Sequence, residues 1–308
     1  MSRSFRWLLV ALGSLVITAL LSVGAQSNEP AVINFGFPPS QDPIGLNLKA
    51  RTLVDTISAQ SGYNMQSFIT TDYTSLVEAM RSGFLDIAFF NPAGFVLAER
   101  EANARVLLKS VRRGNPFFWS AIITRVDSGI LALGDLQGKS FAWVDPASSS
   151  GFIFPKSYMI DQGINPDTFL GTQIFAGTHD GVVRAVLEGQ ADAGATFVNQ
   201  PLTGLGSEVS GSWDAGRFGF TAETAAQIRI IAITEAIPGD TMSVRGDFQD
   251  QYPDVVQRIV NVVAAMRCER NQTGCPLWDL FQIEYMIPAT SADYDPVRRA
   301  FENVGIRP

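Results

Sequence analysis

Three hydroxyls in a row, Ser148, Ser149 and Ser150, end on Gly151 in the stretch DPASSSGFIFP (145–155). A strand-like run, FAWVD (141–145), precedes them, and a mostly apolar one, FIFPKSYMI (152–160), follows. Serine and glycine populate any loop. The junction between a strand and a helix N-terminus is also where orphan backbone N–H groups receive an anion. The chemistry on offer is therefore capture of an oxyanion. A second junction of the same kind holds His179, the single histidine, in FAGTHDGVV. Alone it reads as a helix-capping or partly exposed residue. In doubly wound sheets, however, ligands sit beyond the carboxyl ends of the strands. The two junctions face one crevice if their strands are neighbours.

Two more strand ends carry polar groups. TDYTS (71–75) offers the phenol of Tyr73, while Asp72 or Thr71 caps the next helix. FNPAG (90–94) places Asn91 either at the crevice or merely at a turn into a helix that opens with Pro92. A hydrolase triad of Ser148, His179 and Asp145 is conceivable on paper. SSSGF lacks the G-x-S-x-G elbow of that class, and Asp145 lies only three residues before Ser148. There is no GxxxxGK[ST] phosphate loop and no cluster of metal ligands. The sequence thus predicts neither an enzyme nor a resident cofactor or metal.

These residues need a frame. Strand-like runs VINFGF (32–37), MQSFIT (65–70) and DIAFF (86–90) alternate with helical runs 48–62, 74–83 and 93–101. A second series has strands at 117–125, 172–177 and 191–197, a turn and strand over 133–145, and helices over 150–163 and 180–189. Such alternation predicts mostly parallel sheets covered by helices. TGLGSEVSGSWDAGRFGF (203–220) reads as a loop, IRIIAIT (228–234) as a strand and YPDVVQRIVNVVAAMR (252–267) as an amphipathic helix. The C-terminus reads as helical with proline breaks. The long apolar strands near 117–125 and 228–236 are candidates for the crossings between two lobes.

The chain has 308 residues, 46% apolar and 17% charged, which suits two domains of ordinary size. MSRSFR followed by WLLVALGSLVITALL (7–21) and SVGA has the layout of a signal peptide cleaved after Ala25. The run is short of a membrane span, and no cysteine near the cut provides a lipid anchor. Export fits Cys268 and Cys275, which flank ERNQTG and read as a disulfide closing a small loop. Losing residues 1–25 removes Arg3 and Arg6 from the 23 basic residues and none of the 30 acidic ones, leaving a net charge of −9. That argues against nucleic acid or an anionic membrane as partner.

With these motifs assembled, the chain resembles the phosphate/phosphite/phosphonate-binding proteins of ABC importers, the phosphonate-binding (PhnD) type. The resemblance runs from about residue 32 to 265. It rests on TTDYTSLVEAMRSGFLDIAFFNPAGFVLA (70–98), GDLQGKSFAWVDPASSSGFIFP (134–155) and AGTHDGVVRAVLEGQADAGAT (176–196). The family's Asp-Pro-x-Ser-Thr-Ser-Gly has Ser149 in place of its threonine. The resemblance implies a two-lobed α/β fold of the type II periplasmic-binding class, each lobe a mostly parallel sheet flanked by helices. Lobe 1 would span 26–118 and 236–308, and lobe 2 would span 119–235, with the ligand cleft between them. Closure would deliver the ligand to a membrane permease; service to a sensor kinase is the alternative. The protein would be periplasmic and monomeric.

The resemblance also implies roles. Ser148, Ser149 and Ser150, with the N–H groups that follow, would hold a small phosphorus oxyanion without a buried cation. His179 would donate from the same lobe and Tyr73 from the other. Asp240, in IPGD (237–240), matches a family acid near the pocket. Two further positions depart from the pattern: Phe118 stands where the family often has tyrosine, and Asn199 where members that bind 2-aminoethylphosphonate carry a carboxylate. Both changes lean toward phosphite or a small alkylphosphonate such as methylphosphonate. The region 268–308 matches poorly.

Overall fold

The computed structural model describes residues 29–40, 43–199, 210–214 and 218–307. The expected signal segment and much of the 203–220 loop lie outside them. Two six-stranded sheets, each flanked by helices, organise the rest. The first contains β1 (Ile33–Phe37), β2 (Met65–Ile69), β3 (Ile87–Phe90) and β4 (Ala104–Val111). The second contains β5 (Phe117–Arg125), β6 (Phe141–Trp143), β7 (Gln173–Phe175), β8 (Ala193–Val198), β9 (Ile228–Ile233) and β10 (Ile237–Pro238). The chain then returns to the first sheet with β11 (Thr241–Arg245) and β12 (Tyr285–Pro288). The strand orders are β12-β4-β11-β3-β1-β2 and β10-β5-β8-β6-β7, with β9 also on β5.

The sheets are mixed, not mostly parallel. β1, β2 and β3 run parallel, as do β6, β7 and β8. The other pairings are antiparallel, because strands entering or leaving a lobe double back beside their neighbours. β4, β11 and β12 escape the sequence reading, and β12 corrects the expectation of an all-helical C-terminus. The crossings themselves are short: 112–116 outward and 239–240 back. Phe117, Phe118, Ile237 and Pro238, expected at the boundaries 118/119 and 235/236, pair with one another in the second sheet.

Helix starts follow local chemistry. Asp72, Asn91, Ser148 and Thr178 are N-caps in extended conformation, each accepting a backbone N–H three residues on. The first predicted helix starts earlier than expected, at Pro43, and stops at Gly62, whose φ of 83° suits a residue without Cβ. The predicted helix 150–163 opens as a π-helical turn, Ser149–Ile153, before the α-helix Phe154–Asp161. One apolar cluster spans both lobes, joining Phe90 and Phe95 to Phe141 and Trp143. The last helix, Asp295–Asn303, bonds the second lobe as well: Asn303 Nδ2 donates to Ser157 Oγ and Asp161 Oδ1, both at 2.9 Å.

Cys268 and Cys275 face each other as a disulfide, with Cα atoms 5.7 Å apart and a sequence separation of 7. Closing so small a loop restricts the unfolded chain and should contribute about 2–3 kcal/mol. The urea midpoint should therefore fall when reductant is added. An unchanged midpoint, with both thiols free to alkylation beforehand, would show that the bond does not form.

Candidate ligand-binding site

All six parallel strands point their carboxyl ends at one cleft between the sheets. Its walls include Pro38 and Ser40 after β1, Tyr73 after β2, Asn91 after β3, the three serines after β6, His179 after β7 and Asn199 after β8. Phe118 on β5, Asp240 ahead of β11 and Arg112 after β4 complete it. The space between these walls, open solvent included, is about 660 Å³. All eight residues expected to contact a ligand line this cleft.

Tyr73, Ser149 and His179 are each the first residue of a helical segment. Three helix N-termini therefore converge, each with a partial positive charge. At the serine turn, Ser148 Oγ accepts the N–H of Gly151 at 3.1 Å. Phe152 and Ile153 donate their N–H groups to Ser148 O. The N–H groups of Ser149 and Ser150 have no partner among the described residues. Gly151 is required here, since a Cβ would lie 2.4 Å from Val144 Cβ and 2.8 Å from Ser148 Oγ.

Ser149 does more than face the cleft. Its Oγ accepts the N–H of Ala93, in the other lobe, at 2.8 Å. Asn91 Nδ2 donates across the same seam to Ala147 O at 2.8 Å, while its Oδ1 caps Gly94. Asn91 is thus both cap and cleft residue, and the two readings of it are compatible. A hydroxyl that accepts from Ala93 keeps its own O–H to donate.

Tyr73 is 3% exposed. Burial, first, and then the charges of Asp145 and Asp240 push its phenol well above the ordinary range. It therefore stays neutral and able to donate. Asp145 caps its own turn through Ala147 N at 2.8 Å, with burial first and Asp72 second raising its carboxyl. His179 Nδ1 pairs with Thr196 Oγ1 at 2.9 Å, and Thr196 Oγ1 with Ser212 Oγ at 2.7 Å. This chain orients the ring. Asn199 Nδ2 donates to Ser210 Oγ at 3.3 Å.

One group overturns the expectation of a cleft without a cation. Arg112 donates from Nε to Phe281 O (2.9 Å), from Nη1 to Ser110 Oγ (2.8 Å) and from Nη2 to Asp240 Oδ2 (2.6 Å). Its side chain is 11% exposed and that of Asp240 23%. In the sequence, Arg112 stands beside Arg113 before GNP, which reads as a solvated turn. Nothing local reveals that Asp240 waits for it. Phe89, Phe90, Phe197 and Phe281 also line the cleft and were not singled out.

The model of a family described as the periplasmic substrate-binding protein of phosphonate ABC transporters matches residues 35–294. A phosphate-import protein of Mycolicibacterium smegmatis is 25% identical over 96% of this chain and 96% of its own. A phosphonates-binding periplasmic protein of Escherichia coli is 26% identical over 78% of this chain and 68% of its own. Among solved structures, a binding protein from Prochlorococcus marinus in complex with methylphosphonate superposes with a TM-score of 0.75 at 18% identity, covering 90% of this chain and 99% of that one. The neighbours share the two-lobed type II periplasmic-binding fold.

Proposed function

The chain belongs to the periplasmic phosphonate-binding proteins of ABC transporters, and from that membership we propose that it captures phosphite or a small alkylphosphonate such as methylphosphonate by interlobe closure and hands it to a permease. The family and the relatives that match most of the chain are named for transport and binding. The observation that carries the reading is the donor set at residues 148–150. Two unpartnered N–H groups and the neighbouring hydroxyls open onto Tyr73 and His179. A dianionic head needs several donors at once, and charge-assisted bonds of this kind are the strong ones. Membership places the protein outside the cytoplasm; cleavage after Ala25 and a monomeric state are part of the proposal.

The choice of ligand rests on Phe118 and Asn199. Phe118 gives the cleft an apolar wall suited to a P–H bond or a methyl group. Asn199 offers no carboxylate to an amine. The Mycolicibacterium relative, named for phosphate import, makes phosphate the competing ligand. Its extra oxygen would face Phe118 without a partner, at a cost of about 1–3 kcal/mol. Delivery to a sensor kinase is favoured less, since the likeness to a tetrathionate sensor histidine kinase covers only 37% of this chain.

Calorimetric titration of the mature chain against phosphite, methylphosphonate, phosphate and 2-aminoethylphosphonate tests the reading. The first two should bind tightest, and either at a hundredfold its Kd should add about 2.7 kcal/mol to stability. Tightest binding to 2-aminoethylphosphonate would sink the choice of ligand, and silence across the panel the function itself.

A further inference from the structure

We propose that Arg112 is a specificity-determining residue that sorts ligands by the charge of the substituent carried beside their phosphorus head, admitting neutral or acidic groups and rejecting ammonium. The inference rests on the phosphorus-oxyanion reading of the cleft. Asp240 is the one acid among the described residues that line the cleft, and it is the group an ammonium would seek. Arg112 already holds it, through Nη2 and Oδ2 at 2.6 Å. The guanidinium is itself fixed by Phe281 O and Ser110 Oγ. It is not free to swing aside.

An incoming ammonium therefore meets an acid whose charge is spent, beside a fixed cation. It would lose its hydration with no compensating carboxylate. An arginine has five N–H donors, and the three bonds above leave two that a ligand's acidic or carbonyl oxygen can use. The cation also offsets the acid, so that the approaching oxyanion meets no uncompensated negative charge. Arg112 and Asp240 stand at the two crossings between lobes, 128 residues apart in sequence. The pairing is thus a product of the fold and invisible to any local motif.

The test titrates unmodified protein, Arg112→Met and Asp240→Asn with methylphosphonate, 2-aminoethylphosphonate and phosphonoacetate. Arg112→Met frees the acid, and the affinity for 2-aminoethylphosphonate relative to methylphosphonate should rise about tenfold or more. The gain should vanish in the double variant Arg112→Met/Asp240→Asn. Asp240→Asn alone releases the guanidinium, and phosphonoacetate should gain about tenfold. A folded Arg112→Met with an unchanged ratio overturns the proposal. Should that variant not fold, Asp240→Asn decides: weakening of 2-aminoethylphosphonate with no gain for phosphonoacetate overturns it equally. These failures leave methylphosphonate binding by the unmodified protein intact. Loss of that binding instead overturns the phosphorus-oxyanion reading and this inference with it.

Discussion

Replacing Ser149 by alanine is expected to weaken binding of methylphosphonate or phosphite about tenfold to a hundredfold. A hydrogen bond to a charged group contributes roughly 1.5–3 kcal/mol, and each 1.4 kcal/mol is a factor of about ten. The serine motif alone leaves this hydroxyl facing an open, wet cleft. The structure places it 1% exposed, accepting the N–H of Ala93 from the opposite lobe. On the proposed reading alanine removes a donor to the ligand, and it orphans the N–H of Ala93 where the lobes meet. When the lobes part, water can reach Ala93, so the empty protein should lose little stability. Calorimetry and thermal melts of the variant, with and without ligand, separate the two effects. Intact affinity with a lowered melting temperature of the empty protein would show that Ser149 only fastens the lobes.

The second large effect is expected from Gly239→Ala. The return crossing presses on the outward one: Gly239 N donates to Pro116 O at 2.8 Å, and Tyr294 Oη donates to Gly239 O at 2.9 Å. A Cβ at 239 would stand 2.3 Å from Ser110 O and 2.9 Å from Ser110 Oγ, the latter a partner of Arg112. Backbone atoms there cannot rotate away. Overpacking of this kind costs about 1–3 kcal/mol, a large share of the roughly 5–15 kcal/mol of a folded domain. Spreading the crossings should also loosen the Arg112–Asp240 pair. Urea midpoints measure the first effect, and a midpoint equal to that of the unmodified protein would show that the crossings yield freely.

The parallel half of each sheet is legible in the sequence because β1, β2, β3, β6, β7 and β8 are apolar runs punctuated by helix signals. Their junctions carry groups that line the cleft, so Tyr73, the serines and His179 could be found. β4 was hidden: a single residue, Asn103, separates it from a helix that ends at Ala102, and this cap adopts the left-handed conformation at φ 51° without a glycine to announce it. β11 is five residues of mixed character, TMSVR, and β12 ends in Pro288, tolerable because β12 lies at the sheet edge. Arg112 was missed for a different reason. Sequence reveals that an arginine is present, but burial beside an acid 128 positions away is a property of the packed chain. The contact between Ser149 and Ala93 is of the same kind, since it exists only when the lobes meet.

The antiparallel insertion of β11 between β3 and β4 has a consequence for the order of events at the ribosome. The first sheet cannot knit together until residue 245 has been made, because β11, which joins β3 to β4, arrives after the whole second sheet. At about 5–20 residues per second, β3 waits roughly 8–30 s for a neighbour from the far side of the chain. During that interval Ile87–Phe90 and Ala104–Val111 are apolar edges with unspent backbone donors and acceptors. The nascent protein is therefore late to fold by construction, and its open edges stay exposed to mispairing until β11 arrives.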